Sequence, residues 1–498
     1  MQDFTCIKET EDFSPYVSKQ ERDNHRIAEE EKGPLVEKIK STIRLNRIGI
    51  AYFIALKLHL LVVYTKKEDR LYRYDVEKGL WYYQAEDMLS GELKDVFVDF
   101  CKRVYSLNVG YMCTNSFATD IMSSVKYYRS EDGFFDRPRG KYYLHCQNCF
   151  LVFDAAEGKF VQQPLGITDI HSRSQLNVKY DPGATCHRFM DDLLKPVLDD
   201  DEIEVLLQYM GLCFLGYNLA QKVLFLIGLA GGGKSTVVNL IELLVGRENV
   251  TELRTNCLRG SFETNRYLGK NLLSAKDVPA DFLKNVGASK LKALTGKDVL
   301  TTEAKHSNAV NEIEGTFNVI VTSNCSQPVM LQNDRDAWER RVLTVKFKNN
   351  KPENPIRDFD RILFEEESSG ILNEVIKRLE RILKDGGQIK PSESQRRAIN
   401  DLLDESESVE TFLKNKVEAV ELPPTQSLRE CKQNLTSEEL YTAYLSYCES
   451  RNWKPVTNRQ FCCKLKDLMP RFFGRYSRHD LLRDGTGRRG FYAVRLKE

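Results

Sequence analysis

The stretch from Lys222 to Gly246, KVLFLIGLAGGGKSTVVNLIELLVG, decides how this chain is read. Val223 to Ile227 is an unbroken apolar run bounded by glycine, the pattern of a strand buried on both faces. From Ser235 the apolar residues recur at helical spacing and stop at Gly246, a suitable C-cap. Between them, Gly228-Leu-Ala-Gly231-Gly232-Gly233-Lys234-Ser235 fits the phosphate-loop pattern G-x-x-x-x-G-K-[ST]. Glycines let backbone N–H groups curl around phosphates, and the helix that follows turns its positive end toward them. Lys234 is expected to neutralise the β- and γ-phosphates of ATP. Ser235 is expected to place its hydroxyl on Mg²⁺, with Thr236 beside it in the first helical turn.

Working outward, 498 residues exceed one hydrophobic core and are expected to divide into about two to four domains. Hydrophobic residues at 41% and charged residues at 29% exclude the disordered and fibrous classes. A net charge of +1 hides a basic end. From Arg451 to Glu498 thirteen Lys/Arg stand against four Asp/Glu, so this tail carries +9 and the remainder −8. Thirteen scattered cysteines, an odd number without the density of a small secreted framework, point to a reducing compartment. Cys146 and Cys149 are expected to pack near a strand rather than hold zinc, since no second spaced pair accompanies them. The opening MQDFTCIKETEDF shows no secretory pattern, and Ile48 to Tyr64, interrupted by Lys57 and His59, falls short of the roughly 20 residues that cross a bilayer. The expectation is a cytoplasmic protein, in a bacterial host, with no membrane contact.

Three further segments carry candidate chemistry. Asn271-Leu-Leu-Ser-Ala-Lys-Asp277 reads as a second strand ending on a carboxylate that can hold Mg²⁺ or polarise water, although Asp after a strand is also a common turn residue. Thr316 to Ser323, TFNVIVTS, is a β-rich run ending at Asn324, whose amide can sense a γ-phosphate. Asp334-Arg-Asp-Ala-Trp-Glu-Arg340-Arg341 precedes the strand-like VLTVKF and offers an arginine for transition-state charge, or a plain surface ion pair.

In this order and spacing the segments resemble superfamily 3 helicases, specifically the helicase part of phage/plasmid and poxvirus-type primase-helicases. Leu291-Lys-Ala-Leu-Thr-Gly-Lys-Asp298 with Thr302-Glu-Ala-Lys305-His306 looks like that family's extra motif. Tyr180-Asp-Pro-Gly-Ala-Thr-Cys-His-Arg-Phe189 and Tyr209-Met-Gly-Leu-Cys-Phe-Leu-Gly216 look like its lead-in. The resemblance covers roughly residues 70 to 498. It implies a multidomain α/β protein with a P-loop AAA+-type motor, an N-terminal α/β accessory domain and a C-terminal winged-helix domain. It implies an ATP-dependent DNA helicase replicating a phage, plasmid or other mobile element, and a homo-oligomeric, hexameric ring on single-stranded or forked DNA. Arg340 or Arg341 would then reach the neighbouring subunit's γ-phosphate, and a hairpin bearing Lys305, with Lys297 and His306 as weaker candidates, would grip the DNA backbone.

The expected divisions are a charged arm over 1–45, the accessory domain over 46–205, the motor over 206–385, a helical linker over 386–425 and the winged helix over 426–498. In the last, Leu435-Thr-Ser-Glu-Glu-Leu opens with a capping pattern, Asn458 to Leu468 reads as a second helix, and Asp484-Gly-Thr-Gly turns a β-wing. Arg459, Lys464 and Lys466 are candidates to face a groove, and Arg488 and Arg489 to reach phosphates. The family generally carries two adjacent acids where this sequence has Lys276 and the single Asp277, which leaves a second reading open: an ATP-binding, weakly hydrolysing origin-binding or assembly protein. A small-molecule kinase would give the basic end no purpose. No primase catalytic pattern is evident, so priming is expected from a separate protein.

Overall fold

The computed structural model of the protein describes residues 17–65, 68–128, 130–131, 133–135, 140–166, 170–258, 260–278, 287–303, 310–324, 335–348, 355–423 and 426–497. At its centre five strands form a parallel sheet: β1 (Val223–Ile227), β2 (Val250–Glu252), β3 (Leu272–Ala275), β4 (Asn318–Ser323) and β5 (Val342–Lys346). Their spatial order is β2-β3-β4-β1-β5, with Val223 opposite Val319 on one side and Val342 on the other. The continuous apolar run of β1 follows from burial on both faces. Leu224 and Leu226 enter one core while Val223 and Phe225 enter the other. Each such side chain contributes about 1.5–3 kcal/mol by leaving water.

Helices Asp200–Leu215, Lys234–Val245 and Phe359–Lys384 supply the first core. Gly287–Thr295 and Glu393–Ser406 cover the other face. The helix Lys234–Val245 ends at Gly246, whose φ of 91° suits glycine alone, as the sequence predicts. An antiparallel hairpin, Val299–Glu303 with Val310–Glu314, leaves the sheet between β3 and β4. Its base depends on Gly315: a Cβ there would stand 1.8 Å from the Ala293 carbonyl oxygen.

The cores divide the chain differently from its composition. Helix Lys19–Lys32 and the hairpin Val36–Ile39 with Thr42–Leu45 share one core with Arg47–Lys57, Glu86–Tyr105 and Asn115–Tyr128. From Val17 onward the segment read as a charged arm is therefore folded, with Val17, Ala28, Leu35 and Val36 buried. Its Glu21 carboxylate is tied to Arg103 and Lys57. Sparse apolar residues suffice because a single helical stripe is all this element buries. Residues 144–198, placed with the accessory domain by composition, contribute Leu144, Leu151, Phe189 and Leu198 to the core under the central sheet. The segment 386–425 contains Glu393–Ser406, packed on that sheet through Ile399, Leu402 and Leu403, and Ser408–Lys416, packed in the C-terminal core through Val409, Phe412 and Leu413.

The C-terminal unit combines Ser437–Ser450 and Asn458–Phe473 with the strands Asn434–Thr436, Arg478–Arg483 and Thr486–Tyr492. Capping boxes at Thr436 and Thr457 start the two helices. Among the described residues, no helix is long and apolar enough to cross a membrane.

Where the Glu393–Ser406 helix meets the Asp200–Leu215 helix, Glu202 is buried with Gln395 3.5 Å from its Oε2. Burial pushes its carboxyl up to about 7, against hydrogen bonds from Gln395 and the Lys346 backbone that favour the charge. A folded-state value above the unfolded one means the native state binds the extra proton. Stability is then full below about 4.5, and on the order of 3 kcal/mol is lost as pH rises to about 7. Glu202→Gln is expected to raise the melting temperature at pH 8 and leave it unchanged at pH 4.5. An equal shift at both pH values would contradict this.

Candidate functional site

The glycine loop leaves the carboxyl end of β1, beside the carboxyl ends of β3 and β4. In open parallel sheets the crevice outside these strand ends is where ligands bind. Gly231 and Gly233 have φ of 80° and 90°, which non-glycine residues rarely adopt. A Cβ on Gly228 would meet Phe347 Cβ at 2.7 Å. The first bond of the following helix runs from Val237 N to Gly233 O. The N–H groups of Lys234, Ser235 and Thr236 therefore lead that bonding and face out of the helix. Ser235 is exposed and Thr236 half-buried on this turn.

Lys234 is only 4% exposed. Its ammonium donates to the carbonyl oxygens of Gly228 at 2.6 Å and Leu229 at 2.8 Å, and to Asn324 Oδ1 at 3.0 Å. Burial pushes it below the usual lysine range, opposed by the charge of Asp277. The structure thus brings together Lys234, Asn324 and Asp277 from three separate segments. Asp277 is exposed, with φ of 52°, and its backbone N donates to Thr322 Oγ1 at 2.9 Å. Sequence reasoning missed Thr322. Its hydroxyl replaces a ladder partner and fixes the turn that presents the carboxylate, and a β-branched residue inside a strand gives no sign of that.

Lys276 points elsewhere. Its ammonium bonds Asn239 Oδ1 at 2.7 Å and Glu242 Oε2 at 2.9 Å on the Lys234–Val245 helix, and Ser274 holds the other oxygen of Glu242 at 2.7 Å. Glu242 is eight residues beyond Lys234, about 12 Å along the helix axis at 1.5 Å per residue. The cation that stands where the family carries a second acid is therefore paired along the Lys234–Val245 helix.

Arg340 and Arg341 end the helix Arg335–Arg341, directly before β5. Because Val342 is in register with Val223, the pair stands at the amino end of the sheet. Glu339 acts on Lys222, at the start of β1, which confirms that position. The glycine loop begins beyond Ile227, about 13 Å away along β1 at about 3.3 Å per residue. Arg340 is exposed, with Nε on the Asp336 carbonyl at 3.3 Å. Arg341 is half-buried and donates to the Ala337 carbonyl at 3.1 Å.

Lys297 is exposed at the base of the hairpin, its ammonium 5.7 Å from the Tyr217 ring centroid. Lys305 and His306 lie outside the described residues. In the C-terminal unit Arg459, Lys464, Arg488 and Arg489 are all exposed. At about 100° per residue, Lys466 shares the face of Arg459, whereas Lys464 lies on the other flank of the Asn458–Phe473 helix. Arg489 contacts His479 Nε2 at 3.2 Å and acts on Cys462, so it stands between the hairpin and that helix. Arg488 is the cross-strand partner of Leu481.

A cavity of about 290 Å³ adjoins the loop on the β5 side. Ile227, Thr344 and Lys346 line it from the sheet, Asp401 and Glu405 from the Glu393–Ser406 helix, and Arg451 and Trp453 from the C-terminal unit. Sequence reading missed Trp453, which is far from the loop in sequence.

Fold and site together define a multidomain α/β protein with a glycine loop, a buried lysine and a carboxylate at the carboxyl edge of a five-stranded parallel sheet. The family of unknown function DUF5906 matches residues 226–341, from the end of β1 to the arginine pair. No curated protein matches the chain. The chain is similar to the A form apo structure of the NrS-1 C-terminal region (305–718), at 13% identity and a TM-score of 0.47 over 89% of this chain and 98% of that one. A second apo structure of the same region is similar at 14% identity and a TM-score of 0.44, over 90% and 99%.

Proposed function

We propose that the chain is an ATP-dependent DNA helicase of superfamily 3 type, working in replication of a phage or other mobile element as a ring on single-stranded or forked DNA. The central sheet is the AAA+-type motor and the C-terminal unit a winged helix. The observation that carries the reading is the convergence of Lys234, Asn324 and Asp277 at the mouth of the glycine loop.

The residues present fit ATP and Mg²⁺. The backbone of Gly228 to Gly233 and the first N–H groups of the helix would cradle the phosphates, and Lys234 would exchange its carbonyl partners for phosphate oxygens. Ser235 and Asp277 would hold Mg²⁺, which when bound supplies charge neutralisation at the γ-phosphate. Asn324 would orient water. The cavity at Trp453 and Asp401 is where the nucleoside end would extend, on the side of β1 away from Asp277.

Arg340 stands at the wrong end of the sheet for its own loop and is exposed, which supports action on a neighbouring subunit and hence a closed ring. Grip on DNA falls to the hairpin Val299–Glu303 with Val310–Glu314 and to Lys305, which lies between these strands in sequence, with the basic C-terminal unit as a second contact. The ATP-switch reading is favoured by one observation: Asp277 has Lys276, not a second acid, beside it. The Lys276–Glu242 pair weakens that objection, because the cation is already spoken for.

Lys276→Ala is accordingly expected to change the steady-state rate of ATP hydrolysis by less than about threefold, in line with the small worth of a part-exposed ion pair. A tenfold or larger rise would mean that Lys276 silences the site. The function itself is tested by ATP-dependent separation of a forked DNA duplex by the purified chain. Strand separation requiring ATP and Mg²⁺ is expected, and none with either absent. Duplex left intact while ATP is consumed would overturn the helicase assignment.

A further inference from the structure

The N-terminal sheet runs in the order Leu80–Tyr83, Glu68–Asp75, Leu60–Thr65, Ser130–Glu131. Its two faces are built differently. Leu60, Val62 and Leu71 bury one face against the four helices of this unit. The other face carries Leu61 and Tyr72 with Trp81, Phe134 and Phe135 packed against them, and among the described residues no helix joins that cluster.

Register lines the aromatic residues up on this second face, since Tyr72 is opposite Tyr83 and Tyr74 opposite Trp81. The rings continue as a ladder. Tyr74 to Trp81 is 5.0 Å between centroids, Trp81 to Phe134 5.0 Å, and Phe134 to the exposed His171 3.8 Å at 8° between planes. Two arginines lie on rings: Arg173 on Phe135 at 5.0 Å and Arg70 on Tyr83 at 5.3 Å. Tyr83 is 57% exposed, so its ring is open to a ligand.

This face also adjoins the central unit. The hairpin strand Val310–Glu314 approaches the strand Glu68–Asp75. Burial pushes the ammonium of Lys270, which follows the Ser261–Asn265 helix, below the usual lysine range; the charges of Arg70 and Arg266 add to this and Glu248 opposes it, while Arg266 is itself paired with Glu263 at 2.9 Å. Cations from two units, Arg70 and Lys270, therefore lie near each other at the edge of an aromatic face. An anionic chain with stacking groups pairs with Arg70 and Arg173 and uses the rings at the same time, which is the chemistry of single-stranded nucleic acid.

We infer that this face, centred on Tyr83 and Arg70, is a second binding site for single-stranded DNA, on which bases stack as the strand passes the hairpin. The inference rests on the reading of the chain as a nucleic-acid motor. Base-on-ring stacking tolerates any sequence, as a translocating protein needs.

The test is fluorescence anisotropy of a labelled thirty-nucleotide oligothymidine with the full chain, over a range of salt. Tyr83→Ala is expected to weaken binding about tenfold, within the range found for base–aromatic stacking, and Tyr83→Phe to restore it. Arg70→Gln is expected to weaken binding and to reduce the slope of log affinity against log salt by about 0.7, one single-strand phosphate contact. Tyr82 pairs with Arg73 on the opposite face, so Tyr82→Ala is the control and binds as wild type. ATP hydrolysis without DNA, retained in each variant, shows that the fold survives. If wild type binds the oligonucleotide and the Tyr83 and Arg70 variants bind equally well, the site is overturned while the motor reading stands. That result would leave the face to a protein partner. If wild type does not bind, the motor reading falls and this site with it.

Discussion

Lys234→Ala is expected to abolish ATP hydrolysis, with a loss of at least about a hundredfold, while the melting temperature falls little. The side chain is buried but spends its three hydrogen bonds on its own loop and on Asn324, so it carries no apolar core. A preorganised cation aimed at developing phosphate charge is worth about 10²–10³ in rate in sites of this kind. Lys234→Arg would not rescue, because the pocket between the Gly228 and Leu229 carbonyls admits a point charge rather than a planar fork. The check is steady-state phosphate release at saturating ATP alongside a thermal melt. Hydrolysis within a few fold of wild type would remove the loop from the chemistry.

Arg340→Ala is expected to reduce hydrolysis by about 10³, the low end for an arginine supplied across an interface. The position of the residue makes a sharper result available. Val342 aligned with Val223 keeps Arg340 at the opposite end of the sheet from Lys234, so the two act on one nucleotide only across neighbouring subunits. Lys234→Ala and Arg340→Ala proteins, each inactive, are therefore expected to recover activity on mixing. In an equal random mixture about a quarter of the interfaces combine an intact loop with an intact arginine. No recovery, with mixed oligomers shown by pull-down, would place the arginine outside the reaction. Arg341 is expected to matter more for stability, since its chain is half-buried and its Nη2 lies against Gly296.

How much of this was legible in the sequence depends on the range of the interaction. The run Val223 to Ile227, the glycine loop and the helix to Gly246 form one local unit, and periodicity with glycine placement predicts it almost to the residue. The strands that precede Asp277 and Asn324 were legible because buried parallel strands are short apolar runs. Two things were not. Charge density hid the folding of Lys19–Lys32, since burial of Ala28 and pairing of Glu21 with Arg103 depend on a helix some eighty residues away. The partner of Lys276 was hidden for the same reason: Glu242 lies on another element, and only the crossing of β3 with that helix brings them together. The Tyr83 face needs the strand register and the Phe134 and His171 loops at once, and no window of sequence contains them.

The measurement that bears most directly on the central claim is ATP hydrolysis by the purified wild-type chain, with and without single-stranded DNA. The account predicts measurable turnover, raised severalfold by the DNA and dependent on Mg²⁺. Turnover that DNA leaves unchanged, or ATP bound without turnover, would contradict a motor and leave an ATP-governed assembly protein in its place.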